Sequence, residues 1–415
     1  MRQLATFVLG SFVAAGACAS DRSPPIGGQM EGGVGPGADA GPGGAGAGTG
    51  GGGVAGAPGP DAGAAPDDVS SLLGPVRTDG GLPALAGAVW RGEQLAAIGV
   101  SGVRKYGDST LATIDDLWHL GSDTKAMTAT LVGISVDRGR IHFEDTLAAL
   151  FPGETIDPGY QGVTLIQLLQ HRGGAPGEIP TDIWSRMWAD GADPDARIRA
   201  VRALLGRAPA QAPGTFVYAN AGYMIAGAAL ERALGLPWEQ ILQAELFTPL
   251  HMRSCGFGAP GTAGRVDQPW GHQIRTDGGD PVPVPPGPNA DNPPSMGPAG
   301  TVHCSLADWG KFLAVHLAGA RGQALPSGLV SQATLTRLQT PPPGGDYACG
   351  WAVGQRPWAG GRVLSHSGSN TMWLVTAWLA PGRNVTFAAV TNRGDRVAGS
   401  ALDSAFGPLI QRYTP

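Results

Sequence analysis

The chain has 415 residues, a formal charge of −5 and no run of Lys or Arg, so it is long enough for a sizeable core and its charge speaks against nucleic acid as a partner. Glycine is the compositional outlier at 68 residues, and its uneven distribution divides the chain into a Gly-rich leader region and a folded part.

The opening MRQLATFVLGSFVAAGACAS sets one arginine ahead of an apolar stretch from Leu4 to Ala17, the pattern of a secretory signal over residues 1–17. That stretch is too short to span a bilayer. Ala15-Gly16-Ala17 reads as a cleavage site, and the Cys18 that follows resembles the lipidated cysteine of bacterial lipoproteins. The expectation is export to the periplasm or cell surface with membrane anchoring through Cys18; ordinary cleavage beside an incidental cysteine is the competing reading. Residues 18–68 are nearly all Gly, Ala, Pro and Asp and read as a disordered tether, about 40 Å end to end as a flexible coil. The folded domain is expected over 69–415, with clear structure from near Leu72.

ALAGAVWRGEQLAAIGV (84–100) reads as a hairpin around Arg91-Gly92-Glu93. Residues 122–138 give an apolar helix ended by Gly139, and 164–170, 196–206 and 220–235 carry helical periodicity. The prolines of TDGGDPVPVPPGPNADNPPSM (276–296) argue against regular structure there, and a loop of that length is expected to border a functional cleft. TVHCSLADWGKFLAVHLAG (301–319) reads as a helix starting near Ser305 as its cap. RVLSHSGS, TMWLVTAWLA and VTFAAVT then read as strands, with a turn at 381–384 and a final helix. Strands at both ends with helices between them predict an α+β fold: an antiparallel sheet built from both termini, flanked by helices, with an inserted, mostly helical subdomain. Cys255, Cys304 and Cys349 allow at most one internal bridge and match no zinc spacing.

One lysine stands out, because the chain has only three, Lys105, Lys125 and Lys311. Lys125 sits inside the apolar helix, three residues after Ser122, so the two side chains share a helix face. Desolvation lowers an amine's pKa toward neutrality, and such an amine can take the proton of a serine attacking a carbonyl. A lysine merely snorkelling from an amphipathic helix is the bland alternative.

Ser122-x-x-Lys125 resembles the first motif of the serine β-lactamase and penicillin-binding-protein superfamily. The likeness continues through GRIHFEDTLAALFPG and LLQHRGGAP to Tyr218-Ala219-Asn220, which is similar to the second motif of the class C β-lactamase-like family. GPAGTVHCSLADWGKF and YACGW extend it, and HSGS (366–369) stands where that family places Lys-Thr-Gly. The resemblance implies a transpeptidase-like fold and a serine hydrolase working without cofactor or metal through an acyl-enzyme on Ser122. Lys125 would be its base and Tyr218 a proton relay. It assigns Asn220 to orienting Lys125 and holding the substrate carbonyl, Gly368 to close approach along the strand, and the N–H groups of Ser122 and Ser369 to the oxyanion. The departure is His366 in place of lysine: a shorter, mostly neutral side chain that favours a small ester, amide or peptide substrate over carboxylate-bearing β-lactams. Competing readings are a D-amino-acid-specific peptidase acting on peptidoglycan fragments and an idle module binding wall peptides.

Overall fold

Apolar strands from the two ends of the folded region pair with each other. The computed structural model describes residues 65–273, 279–323 and 328–414. Its main sheet has seven strands: β1 (Asp67–Asp68), β2 (Ala84–Arg91), β3 (Gln94–Gly102), β4 (Ala352–Arg356), β5 (Gly361–Ser369), β6 (Leu374–Ala380) and β7 (Val385–Thr391). Their order across the sheet is β1-β3-β2-β7-β6-β5-β4. N-terminal β2 lies against C-terminal β7, with Ala88 opposite Ala388, so the sheet closes only when both ends of the domain are present. Every neighbouring pair is antiparallel except β1 and β3, where two residues pair in parallel at the edge.

Both faces of the sheet are covered, which is why β7 reads VTFAAVT without polar alternation and is buried along its whole length. On one face the helices Ser70–Asp79 and Arg396–Tyr413 pack Leu73, Leu402, Phe406 and Leu409 against Leu85, Val89 and Phe387. Burying a side chain such as Phe387 contributes about 2–3 kcal/mol. The opposite face carries the larger cluster, which includes Trp118, Met127, Leu131, Trp309 and Phe312 and runs on into the helical subdomain inserted between β3 and β4. The inserted helix Thr124–Asp137 is buried from Thr124 to Ser135, so it is apolar nearly all round and not amphipathic.

The structure adds detail to three expectations. The chain forms the helix Ser70–Asp79 before Leu82, despite Gly74-Pro75 inside it; Pro75 is tolerated because burial of Leu73 supports the short segment. The helix expected to start near Ser305 is Leu306–Ala320, with Ser305 accepting from the Asp308 N–H as its cap, and the residues before it form a strand, Val302–Ser305, whose Cys304 pairs with Trp118. In the Pro-rich stretch Val282–Val284 pairs as an edge strand with Gly271–Gln273, which a proline tolerates at an edge. Residues 276–278 lie outside the described residues. Cys255 and Cys304 form a disulfide, and Cys349 is free and buried.

Candidate active site

The turn that carries Ser122 is made by contact between two backbones. Ser122 lies in the 3-10 turn Gly121–Asp123 that leads into the helix Thr124–Asp137. Gly121 has φ +49°, and a Cβ there would sit 2.4 Å from Ser369 N; a Cβ on Gly368 would sit 2.0 Å from Leu120 O. No side chain fits at either position, so the turn and the end of β5 lie directly against each other. This brings Ser122 and Ser369 to one place. The missing side chain of Gly368 makes room for the turn itself.

Lys125 is completely buried, and its ammonium nitrogen donates to Ser122 Oγ at 2.9 Å and to Ala299 O at 2.7 Å. Burial lowers its pKa from 10.5 to about 7, although the nearby Asp123 carboxylate pulls the other way. The penalty against the protonated amine is roughly 5 kcal/mol, so near neutrality a large share of the amine is free base. Tyr218 projects into the same corner, with Lys125 Nζ 4.9 Å from its ring centroid and Ser122 near enough to its hydroxyl to act on the phenol's pKa. Burial of that hydroxyl pushes the phenol's pKa up, so at neutral pH Tyr218 is a proton donor and no tyrosinate is available as base.

Asn220 is half-buried at the first position of the helix Asn220–Leu234. The hydrogen bonds of the Lys125 nitrogen go to Ser122 and Ala299 and not to Asn220, so the expected orienting of Lys125 by Asn220 falls instead to the Ala299 carbonyl. His366 on β5 is 6% exposed; its Nε2 lies 3.1 Å from Tyr347 Oη and its Nδ1 3.7 Å from Asp123 Oδ2, an ion-pair distance too long for a hydrogen bond. Asp123 is 1% exposed, and neither of its oxygens has a hydrogen-bond partner among the described residues. Burial raises its pKa, with His366 and Lys125 opposing.

Sequence reasoning missed three participants. Ala299 supplies a backbone carbonyl, which no residue pattern can signal. His171 is buried with φ +56°; its carbonyl accepts from Val217 N–H and its Nδ1 from Ala219 N–H, bracketing Tyr218, whose ring centroid is 4.2 Å from the imidazole. Burial and the charge of Lys125 hold His171 well below its ordinary pKa, hence neutral. The third is Asp291, from the Pro-rich stretch, which lies 2.7 Å from His119 Nε2, just before the nucleophile turn. A cavity of about 680 Å³ lined by Arg197, Glu231, Asn292 and Thr301 includes neither Ser122 nor Lys125, so the site is assigned from its chemistry and not from cavity size. Among the described residues no cluster of His, Cys, Asp and Glu is placed to hold a metal ion.

The family model described as Beta-lactamase matches residues 69–407. Penicillin-binding protein 4 of Amycolatopsis lactamdurans is 30% identical over 347 residues, covering 81% of this chain and 87% of its own length. Among solved structures, the octameric penicillin-binding protein homologue from Pyrococcus abyssi aligns with TM-score 0.66 at 20% identity, over 82% of this chain and 77% of that one. A D-stereospecific amidohydrolase from Streptomyces sp. aligns with TM-score 0.64 at 20% identity, over 82% and 99%. At such identities these two structures speak for the fold alone.

Proposed function

The chain belongs to the Beta-lactamase family, and from that premise we propose that it is an exported serine hydrolase that cleaves an ester or small amide through an acyl-enzyme on Ser122. The observation that carries this reading is a fully buried amine, with its pKa lowered to about 7, bonded to a serine hydroxyl at 2.9 Å. Members of this family are generally serine hydrolases. Neutral Lys125 takes the Ser122 proton as Oγ attacks the carbonyl carbon. The backbone N–H groups of Ser122 and Ser369 receive the oxyanion, and a donor of this kind contributes about 3–4 kcal/mol. Collapse of the tetrahedral intermediate breaks the bond to the leaving group, which takes a proton from Tyr218; the phenol regains it from protonated Lys125. Water then attacks the acyl carbon, giving up its proton by the same route, and Ser122 is released. Asn220 holds the substrate carbonyl from the cleft side.

His366 supports a neutral substrate. Its imidazole is bonded through Nε2 to Tyr347 and lies beside the buried Asp123 carboxyl, a setting that does not favour a substrate carboxylate. A D-amino-acid-specific peptidase is the second reading, supported by the partial likeness, 26% identical over 158 residues, to the D-alanyl-D-alanine-carboxypeptidase/endopeptidase AmpH of Escherichia coli. Export with anchoring through Cys18, and the tether, complete the proposal; residues 1–64 lie outside the described residues, while Asp67–Asp68, expected to belong to the tether, pair with Ala97–Ile98 as edge strand β1. Among the described residues no helix is long and apolar enough to cross a membrane. The test is a substrate panel at pH 7.5: short-chain 4-nitrophenyl esters, peptides ending in D-Ala-D-Ala, and a chromogenic cephalosporin. The proposal predicts the highest kcat/KM on an ester or small amide. Cephalosporin hydrolysis matching the best ester would contradict the role given to His366, and turnover of the D-peptide alone would favour the second reading.

A further inference from the structure

Residues 290–292, from the Pro-rich stretch, bond to three separate parts of the site. Ala290 O accepts from Asn370 Nδ2 at 3.0 Å, and Asn370 Oδ1 in turn accepts from the N–H groups of Met372 and Trp373, shaping the bend that follows β5. Asn292 Nδ2 donates to Gly300 O at 2.9 Å, next to the Ala299 carbonyl that holds Lys125. Asp291 Oδ1 lies 2.7 Å from His119 Nε2. The His119 ring is fully buried and stacked on Trp373, and its Nδ1 accepts from the Gly121 N–H at 3.1 Å.

These contacts fix the imidazole's tautomer. Nδ1 accepts a backbone N–H and therefore carries no proton, so the proton is on Nε2 and is donated to Asp291. The carboxylate thus sets both the ring's orientation and its basic edge, and that edge holds the N–H of the left-handed glycine immediately before the nucleophile. Without this bond the Gly121 N–H loses its acceptor, and the peptide that carries the Ser122 N–H is left to the contact with the Ser369 backbone alone. We propose that Asp291 and His119 act as a positioning pair for the nucleophile turn, and that the 290–292 segment braces both sides of the oxyanion site. The pair touches no substrate. It works by holding Ser122 Oγ and the Ser122 N–H in register with Ser369, and it rests on the reading of Ser122 as nucleophile.

Two substitutions at His119 separate positioning from packing, because they keep different halves of the ring's chemistry. His119→Asn places an amide oxygen where Nδ1 stood and keeps the acceptor for Gly121; His119→Gln reaches Asp291 but leaves Gly121 without its acceptor. With the full chain, kcat and KM for a short-chain 4-nitrophenyl ester are measured beside the melting temperature and the extent of fluorophosphonate labelling of Ser122. The expected result is a kcat lower by roughly tenfold to a hundredfold in His119→Gln with KM within about twofold. His119→Asn should recover most of that loss although both variants lose the ring and soften the melting transition alike. Asp291→Leu, at a residue near the surface, should lower kcat in the same way. Equal kcat losses in the Asn and Gln variants, or no loss in either, overturn the inference while labelling of Ser122 stays intact. Absence of labelling and turnover in the unmodified protein overturns the nucleophile reading and this inference with it.

Discussion

Two buried ionisable corners flank Ser122, and they are built differently. In one, Lys125 is fully enclosed and its nitrogen is satisfied by Ser122 Oγ and Ala299 O. In the other, Asp123 is just as deeply buried, yet its only polar neighbour at ion-pair distance among the described residues is His366 at 3.7 Å. Burial acts on both in the direction of the neutral form, lowering the lysine and raising the aspartate. The difference lies in what each neutral form can do. A neutral amine bonded to a hydroxyl can serve as a base there, whereas Asp123 and His366 bond to no hydroxyl of Ser122.

The largest expected effect breaks the first corner. Ser122→Ala and Lys125→Ala should each lower kcat on an ester by 10³-fold or more (roughly) while the fold persists, and the double variant should lose about as much as either single one. Clearly additive losses in steady-state assays would show that the two do not act as a unit. Tyr218→Phe comes next: it keeps the ring against His171 and removes the proton, so kcat should fall roughly 10²- to 10⁴-fold with the melting temperature little changed. An unaltered kcat would remove Tyr218 from the proton path.

The third experiment joins the two corners. Lys125 is active as the free base, so kcat/KM should rise with pH through about 7 and level off above it. The Asp123 carboxylate favours the protonated amine, so removing its charge in Asp123→Asn should lower the lysine's pKa further and move the rising limb to lower pH. A limb that stays in place or moves upward would disconnect the corners. The smallest effect is expected from His366→Lys, which should improve the KM of a cephalosporin relative to a neutral ester by roughly fivefold, the scale of a weak ion pair. A change confined to the neutral ester would contradict the account of His366.

Local pattern carried much of this into the sequence. The hairpin of β2 and β3, the buried helix bearing Lys125 and the helix opened by Asn220 are each written in a short stretch, with Gly92 and Gly235 marking their ends. Ser122, Lys125, Tyr218 and His366 were found through three short motifs, and the fold draws them together. What the sequence concealed is long-range or backbone-borne. His119 and Asp291 are 172 positions apart, and neither belongs to a motif. The Ala299 carbonyl has no side-chain signature, and the strand Val302–Ser305 exists because Trp118 and Cys304 lie opposite each other, a pairing that local propensity does not contain. Helix Ser70–Asp79 was hidden by Gly74-Pro75, whose local cost is overridden by packing against β3 and the C-terminal helix.

The central claim is that Ser122 is acylated with Lys125 as its base, and the rate of fluorophosphonate labelling as a function of pH tests it most directly. The account predicts one adduct, mapped by peptide mass to Ser122 and absent from Ser122→Ala, forming at a rate that climbs through about pH 7 as Lys125 loses its proton. An adduct on another residue, or a rate that stays flat from acid to alkaline pH, would contradict it.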